Sequence, residues 1–67
     1  MNRPDILLTN HGSICLLRPF TPSGDEWLGA NLADDAQMWG DAFVVEPRYV
    51  APIVEGAIND GLTVGQA

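Results

Sequence analysis

Two short apolar runs, Ile6-Leu7-Leu8-Thr9 and Ser13-Ile14-Cys15-Leu16-Leu17-Arg18, are separated only by Asn10-His11-Gly12, and this arrangement constrains the chain more than any other feature. A turn cluster whose glycine can take positive φ, set between two β-forming runs, reads as a β-hairpin. Neither run alternates strictly between apolar and polar residues, so neither strand has a face made for water. Both faces are expected to be covered, one by helices and the other by another chain.

Downstream, Pro19, Pro22 and Gly24 break the strand pattern, and Ser23-Gly24-Asp25-Glu26 has the serine-to-glutamate spacing of a capping box. A helix is expected from about residue 22 to Ala33, seated through Trp27, Leu28 and Leu32. Asp34-Asp35-Ala36-Gln37 reads as a polar connection. The aromatic and β-branched residues that follow predict a third strand at roughly 41 to 46, with Phe43 and Val45 on one face and Ala42 and Val44 on the other. Pro47 suits the first position of a second helix, in which Tyr49, Val50, Ile53, Val54, Ala57 and Ile58 recur at three-and-four spacing. Pro52 interrupts that helix by removing a hydrogen bond to the carbonyl of Arg48, so a kink or late start is expected there. Gly61 is the expected left-handed cap, and Leu62-Thr63-Val64 a short edge strand before a frayed tail at 65–67. The order ββαβα predicts a single α+β domain over residues 1–67. Two helices lie on one face of an antiparallel or mixed sheet of three, with the terminal strand four, strands.

Composition narrows the function. Sixty-seven residues make one domain with no room for a large substrate cleft. At 46% hydrophobic residues and a mean hydropathy of +0.05 the chain is too apolar for a disordered tail, and no apolar run approaches the roughly 20 residues of a membrane span. Nine acidic residues against three arginines (Arg3, Arg18, Arg48) give a net charge of -6 and a pI near 4.1, so direct nucleic-acid binding and attraction to anionic lipid are both disfavoured. The lone Cys15 cannot form an internal disulfide, and the N-terminal residues carry no signal-peptide core, so a cytoplasmic location is expected. A core this small supplies about 3 to 5 kcal/mol, and a partner or self-association would add to it.

His11 and Cys15 are the two soft ligands of the chain, and Asp34-Asp35 with Asp41 the hard ones. A zinc site needs at least three protein ligands, and the acid spacing matches no calcium loop. The simpler reading makes His11 an exposed turn residue, Cys15 a small buried hydrophobe and the aspartates a solvated loop. No catalytic residue, cofactor site or metal site is expected, and no phosphate loop is present. Among Phe20, Trp27, Trp39, Phe43 and Tyr49, about two are expected to remain partly exposed. Trp39, beside Gly40, is the leading candidate, and Arg48-Tyr49 is the second expected anchor for a partner. Arg48 has Glu46, Asp41 or a partner carboxylate within its sequence reach.

The segments Asn10-His11-Gly12-Ser13-Ile14, Glu26-Trp27, Asp35-Ala36-Gln37 with Trp39-Gly40, Val45-Glu46-Pro47-Arg48-Tyr49 and Asp60-Gly61-Leu62 together resemble a group of short acidic proteins of proteobacterial and phage genomes. The resemblance spans nearly the whole chain. It implies a bacterial or mobile-element origin and carries over no catalytic residue, since no activity is established for the group; Pro52 and Cys15 stand outside the shared pattern. The leading expectation is a non-enzymatic protein-protein interaction module or homodimer. The alternatives are a DNA-mimic inhibitor motivated by the charge of -6, and a small metal-dependent enzyme using His11, Cys15 and Asp34-Asp35.

Overall fold

The computed structural model describes residues 3–32 and 37–66. The hairpin forms as β1 (Ile6–Asn10) and β2 (Cys15–Pro19), antiparallel with Ile6 opposite Pro19, Leu8 opposite Leu17 and Asn10 opposite Cys15. Its turn is built locally. The Asn10 side-chain carbonyl accepts the Gly12 N–H at 2.7 Å, Gly12 takes φ +86°, and the His11 N–H donates to the Ile14 carbonyl at 2.9 Å.

Helix α1 (Pro22–Asn31) begins with Pro at its first position. Its cap is Thr21, whose hydroxyl accepts the Gly24 N–H at 3.1 Å, and not the expected Ser23 of a capping box. Pro22 fixes the difference. Its φ suits the first helical turn, which leaves Thr21 as the last extended residue, at φ -132° and ψ 158°. The helix ends at Asn31, two residues short of the expected Ala33.

The expected strand at 41–46 is a tighter hairpin of β3 (Met38–Trp39) and β4 (Ala42–Val45), with Trp39 opposite Ala42. The two residues between them are Gly40, at φ +63°, and Asp41, so the turn supplies positive φ where only glycine accepts it cheaply. Helix α2 (Pro47–Asn59) starts at Pro47 and runs through Pro52, so no late start occurs. Its end is a left-handed cap: Gly61 has φ +91°, the Gly61 N–H donates to the Ile58 carbonyl and the Leu62 N–H to that of Ala57, both at 3.0 Å. Strand β5 (Val64–Gln66) follows, parallel to β1, so Gly65 and Gln66 are paired with Leu7 and Leu8 where a frayed tail is expected. Residues 33–36, which include Asp34 and Asp35 of the expected polar connection, and Ala67 lie outside the described residues.

The five strands form one mixed sheet in the order β3-β4-β2-β1-β5, where three, or four with the terminal strand, are expected from sequence; the added one is the two-residue β3. Both helices are crossovers. α1 joins β2 to β3 across β4, and α2 joins β4 to β5 across β2 and β1. The two crossovers run in opposite directions along strands of opposite sense, so the right-handed sense that parallel crossovers adopt puts both helices on the same face. Ile6, Leu17 and Val45 from that face, Leu28 from α1 and Ala57 from α2 form the buried core, with Phe43, Val50, Ile53 and Leu62 packed around it. In α2, Val50, Ile53 and Ala57 point inward, while Tyr49 and Ile58 from the same apolar stripe face solvent. Each fully buried Ile or Leu side chain contributes about 1.5 to 3 kcal/mol.

Polar contacts lock the start of β1 to α1 and β5. The Asp5 carboxylate accepts the Thr21 hydroxyl at 2.7 Å, the Thr63 N–H at 2.9 Å and the Thr63 hydroxyl at 3.2 Å, while the Asp5 N–H donates to the Thr63 carbonyl at 3.0 Å. Gly24 sits so close that a Cβ there would collide with the Asp5 carbonyl. These donors, led by the Thr63 amide and then the Thr21 hydroxyl, hold the Asp5 carboxyl below its ordinary value of 3.8.

Two outcomes follow for stability. Gly24→Ala destabilises the protein in urea melts despite the usual preference of about 0.5 to 1 kcal/mol for alanine in a helix, whereas Gly29→Ala, with open space around its Cβ position, stabilises it by that amount. Because the Asp5 carboxyl is lowered in the folded state, its contribution is complete above pH 3.8 and is lost as pH falls through the native value. The gap in melting temperature between the native chain and Asp5→Asn therefore narrows below that pH; a gap constant with pH would show that the carboxylate charge is not what Thr21 and Thr63 hold.

Candidate functional site

The face of the sheet away from the helices carries Leu7 and Thr9 from β1, Leu16 and Arg18 from β2, Ala42 and Val44 from β4 and Trp39 from β3, as the alternation and registers require. No helix among the described residues covers this side, yet Ala42 is fully buried and Leu16 only 8% exposed. The cover is aromatic. Trp39 stands directly opposite Ala42, and its ring lies 6.1 Å from that of His11, tilted by 56°. Between them is an open depression of about 410 Å³ bordered by Thr9, His11, Leu16, Arg18, Trp39 and Gly40. Trp39 itself remains 56% exposed, more than any other large apolar side chain in the described residues.

Arg18 crosses the rim of this depression and its Nε donates to the Asp41 carboxylate at 3.1 Å. Both groups are solvent-exposed, so the pair is worth about 0 to 1 kcal/mol and serves mainly to set where the guanidinium lies. Asp41 is thereby engaged, and Arg48 finds Glu46 instead, Nε to carboxylate at 3.1 Å, with its guanidinium stacked 4.9 Å from the centre of the Tyr49 ring. That corner lies at the start of α2, where Tyr49, 50% exposed, borders a separate cleft of about 850 Å³ with Leu32, Pro52 and Ile53. Trp39 and the Arg48-Tyr49 corner thus belong to two different depressions.

The remaining aromatics divide as follows. Phe20 is exposed alongside Trp39 and Tyr49, three rather than the expected two, while Phe43 packs on the core. Trp27 bridges the helices: its indole N–H donates to the Asp60 carboxylate at 2.6 Å and its ring abuts Gly56. Of the soft ligands, Cys15 is 3% exposed on the helix-covered face beside Leu17, whereas the His11 ring lies over the other face with Trp39. The sheet itself separates the two. No group of three or more metal-ligating side chains occurs among the described residues. His11, expected as an exposed turn residue, is exposed and is also a wall of the aromatic depression; the sign of this was its place at the end of the Leu7-Thr9 alternation.

No protein-family model matches the chain, and neither a curated protein nor a solved structure does. No residue role is therefore carried over from a relative, and the helix-free face is defined by its own chemistry. No helix among the described residues is long and apolar enough to cross a membrane.

The burial of Cys15 gives a direct check on this separation of faces. A water-soluble disulfide reagent should leave the thiol unmodified in the folded protein and titrate it fully in urea; rapid reaction of the native protein would mean that Cys15 reaches the surface.

Proposed function

We propose that the chain is a non-enzymatic protein-interaction module that meets its partner through the helix-free face of the sheet, with Trp39 as the anchor. The observation that carries this reading is a half-exposed tryptophan held over a buried alanine on a sheet face that no helix covers. Tryptophan and arginine are the side chains that most often dominate binding energy, and this face carries one of each. The resemblance to short acidic proteobacterial and phage proteins supports a bacterial or mobile-element setting, and the lone unpaired cysteine supports a reducing cytoplasm. The Arg48-Tyr49 corner is a secondary contact, since Arg48 is already engaged by Glu46 and the tyrosine ring.

A second reading draws on the acidic side of the molecule. Asp25, Glu26, Glu55 and Asp60 all belong to the helical layer, and none of them pairs with an arginine. Such a surface would suit a DNA-mimic inhibitor directed at a basic nucleic-acid-binding protein.

Photo-crosslinking in living cells discriminates between the faces. A photoreactive residue at Thr9, on the sheet face, should give protein adducts, and one at Glu55, on the helical layer, should give none. Adducts from Glu55 alone would favour the acidic reading, and silence at Thr9 would end the module reading.

A further inference from the structure

We propose, building on the reading of the helix-free face as a docking surface, that its occupant is a second copy of this chain in a face-to-face, two-fold arrangement. The distribution of charge selects this partner. Of the seven carboxylates in the described residues, only Asp41 borders the helix-free face, and Arg18 neutralises it at 3.1 Å. Asp25, Glu26, Glu46, Glu55 and Asp60 lie on or at the ends of the helices, and Asp5 turns toward the Thr21 cap of α1. Among the described residues, therefore, the helix-free side of a chain of net charge -6 carries no net charge.

That side is where a like-charged copy meets the least repulsion. Stacking two sheets places the two acidic helical layers on opposite outer surfaces, roughly 30 Å apart at about 10 Å per layer, several screening lengths at physiological salt, where one length is about 8 Å. Any contact through the helices would instead bring the acids together. A strongly basic partner, by contrast, would be drawn to the helical layer and would gain nothing from this neutral, aromatic face. Size agrees with the assignment. A stable interface takes about 600 to 1,000 Å² from each partner, and the broadest side of a body with extents of 30 × 24 × 22 Å falls in the lower part of that range. In a two-fold contact each copy brings the same half-exposed ring at the edge of the same open depression, the pattern a self-complementary contact uses.

Sedimentation equilibrium on the purified full chain tests this. At about 0.1 mM the expected mass is twice the 7.2 kDa of one chain, with a dissociation constant that changes less than about threefold between low and physiological salt. Thr9→Glu, which sets two new carboxylates against each other across the interface, should weaken the dimer at least about tenfold, whereas Ala30→Glu, adding the same charge to α1, should leave it unchanged. Circular dichroism identical to that of the native chain establishes that each variant is folded. A monomer at that concentration overturns the proposal, and so does a dimer that Ala30→Glu weakens as much as Thr9→Glu. If the chain is monomeric while the crosslinker at Thr9 still captures other proteins in cells, the second copy fails and the interaction module stands; if both tests are negative, both fail.

Discussion

The handedness of two crossovers decides what this molecule can present to others. β2 sends its chain toward one edge of the sheet and β4, running the opposite way, sends its chain toward the other. A right-handed path in both cases brings α1 and α2 to the same side. Among the described residues there is no third helix on the opposite side, so a five-stranded sheet with one unlayered face is the outcome of this connectivity. The apolar residues of that face are then not errors of patterning. Leu7, Leu16 and Val44 alternate with core residues on strands whose other side is fully used, and Leu16 borders the depression that Trp39 and His11 line.

A core of five buried residues needs help at its margins, and the Asp5 cluster provides it. Without it, β5 would be a three-residue strand held by one neighbour, and α1 a two-glycine helix of weak amphipathicity. Thr63 both accepts the Asp5 N–H and donates to its carboxylate, while Thr21 accepts from Gly24 and donates to the same carboxylate. Each hydroxyl is therefore used in both senses, and the cap of the helix, the first strand and the last strand are ordered by one side chain. Gly24 belongs to this cluster as surely as the threonines do. Its lack of a Cβ permits the approach of α1 to the Asp5 carbonyl, which explains a residue that helix propensity alone would disfavour.

Local chemistry made part of this fold legible. Asn10-His11-Gly12 specifies its hairpin by a side-chain-to-backbone bond two residues long, and Asp60-Gly61 ends α2 by glycine's tolerance of positive φ, so both are readable without the rest of the chain. The cap at Thr21 was less so, because Ser23 has the better spacing to a glutamate and only the placement of Pro22 decides between them. β3 is a tertiary fact, and β5 lies two residues beyond the edge strand expected at Leu62-Thr63-Val64. A two-residue strand has no periodicity, and its sign was the Gly40-Asp41 pair inside a run that otherwise reads as one strand. Gly65 and Gln66 have low strand propensity and are held because β1 leaves an unpaired edge beside them. The site was legible in one residue: Trp39 is exposed, as a tryptophan beside a turn glycine suggests. That His11 and Arg18 join it depends on strand register, and that Tyr49 and Arg48 stand apart from it depends on which end of the sheet α2 begins at.

Ala42 shows how the exposed indole is kept in order. A half-exposed tryptophan on a two-residue edge strand would ordinarily sample several rotamers, and binding would then have to offset about 0.5 to 1.5 kcal/mol for fixing it. Here its cross-strand partner is the smallest side chain that still leaves a strand intact, fully buried, with the His11 ring at the far margin and the Gly40 turn behind. A larger residue at position 42 would lift the ring off the sheet, and a polar one would lose its water beneath it. The same indole is therefore both the lid of a satellite cluster and a surface already arranged for contact.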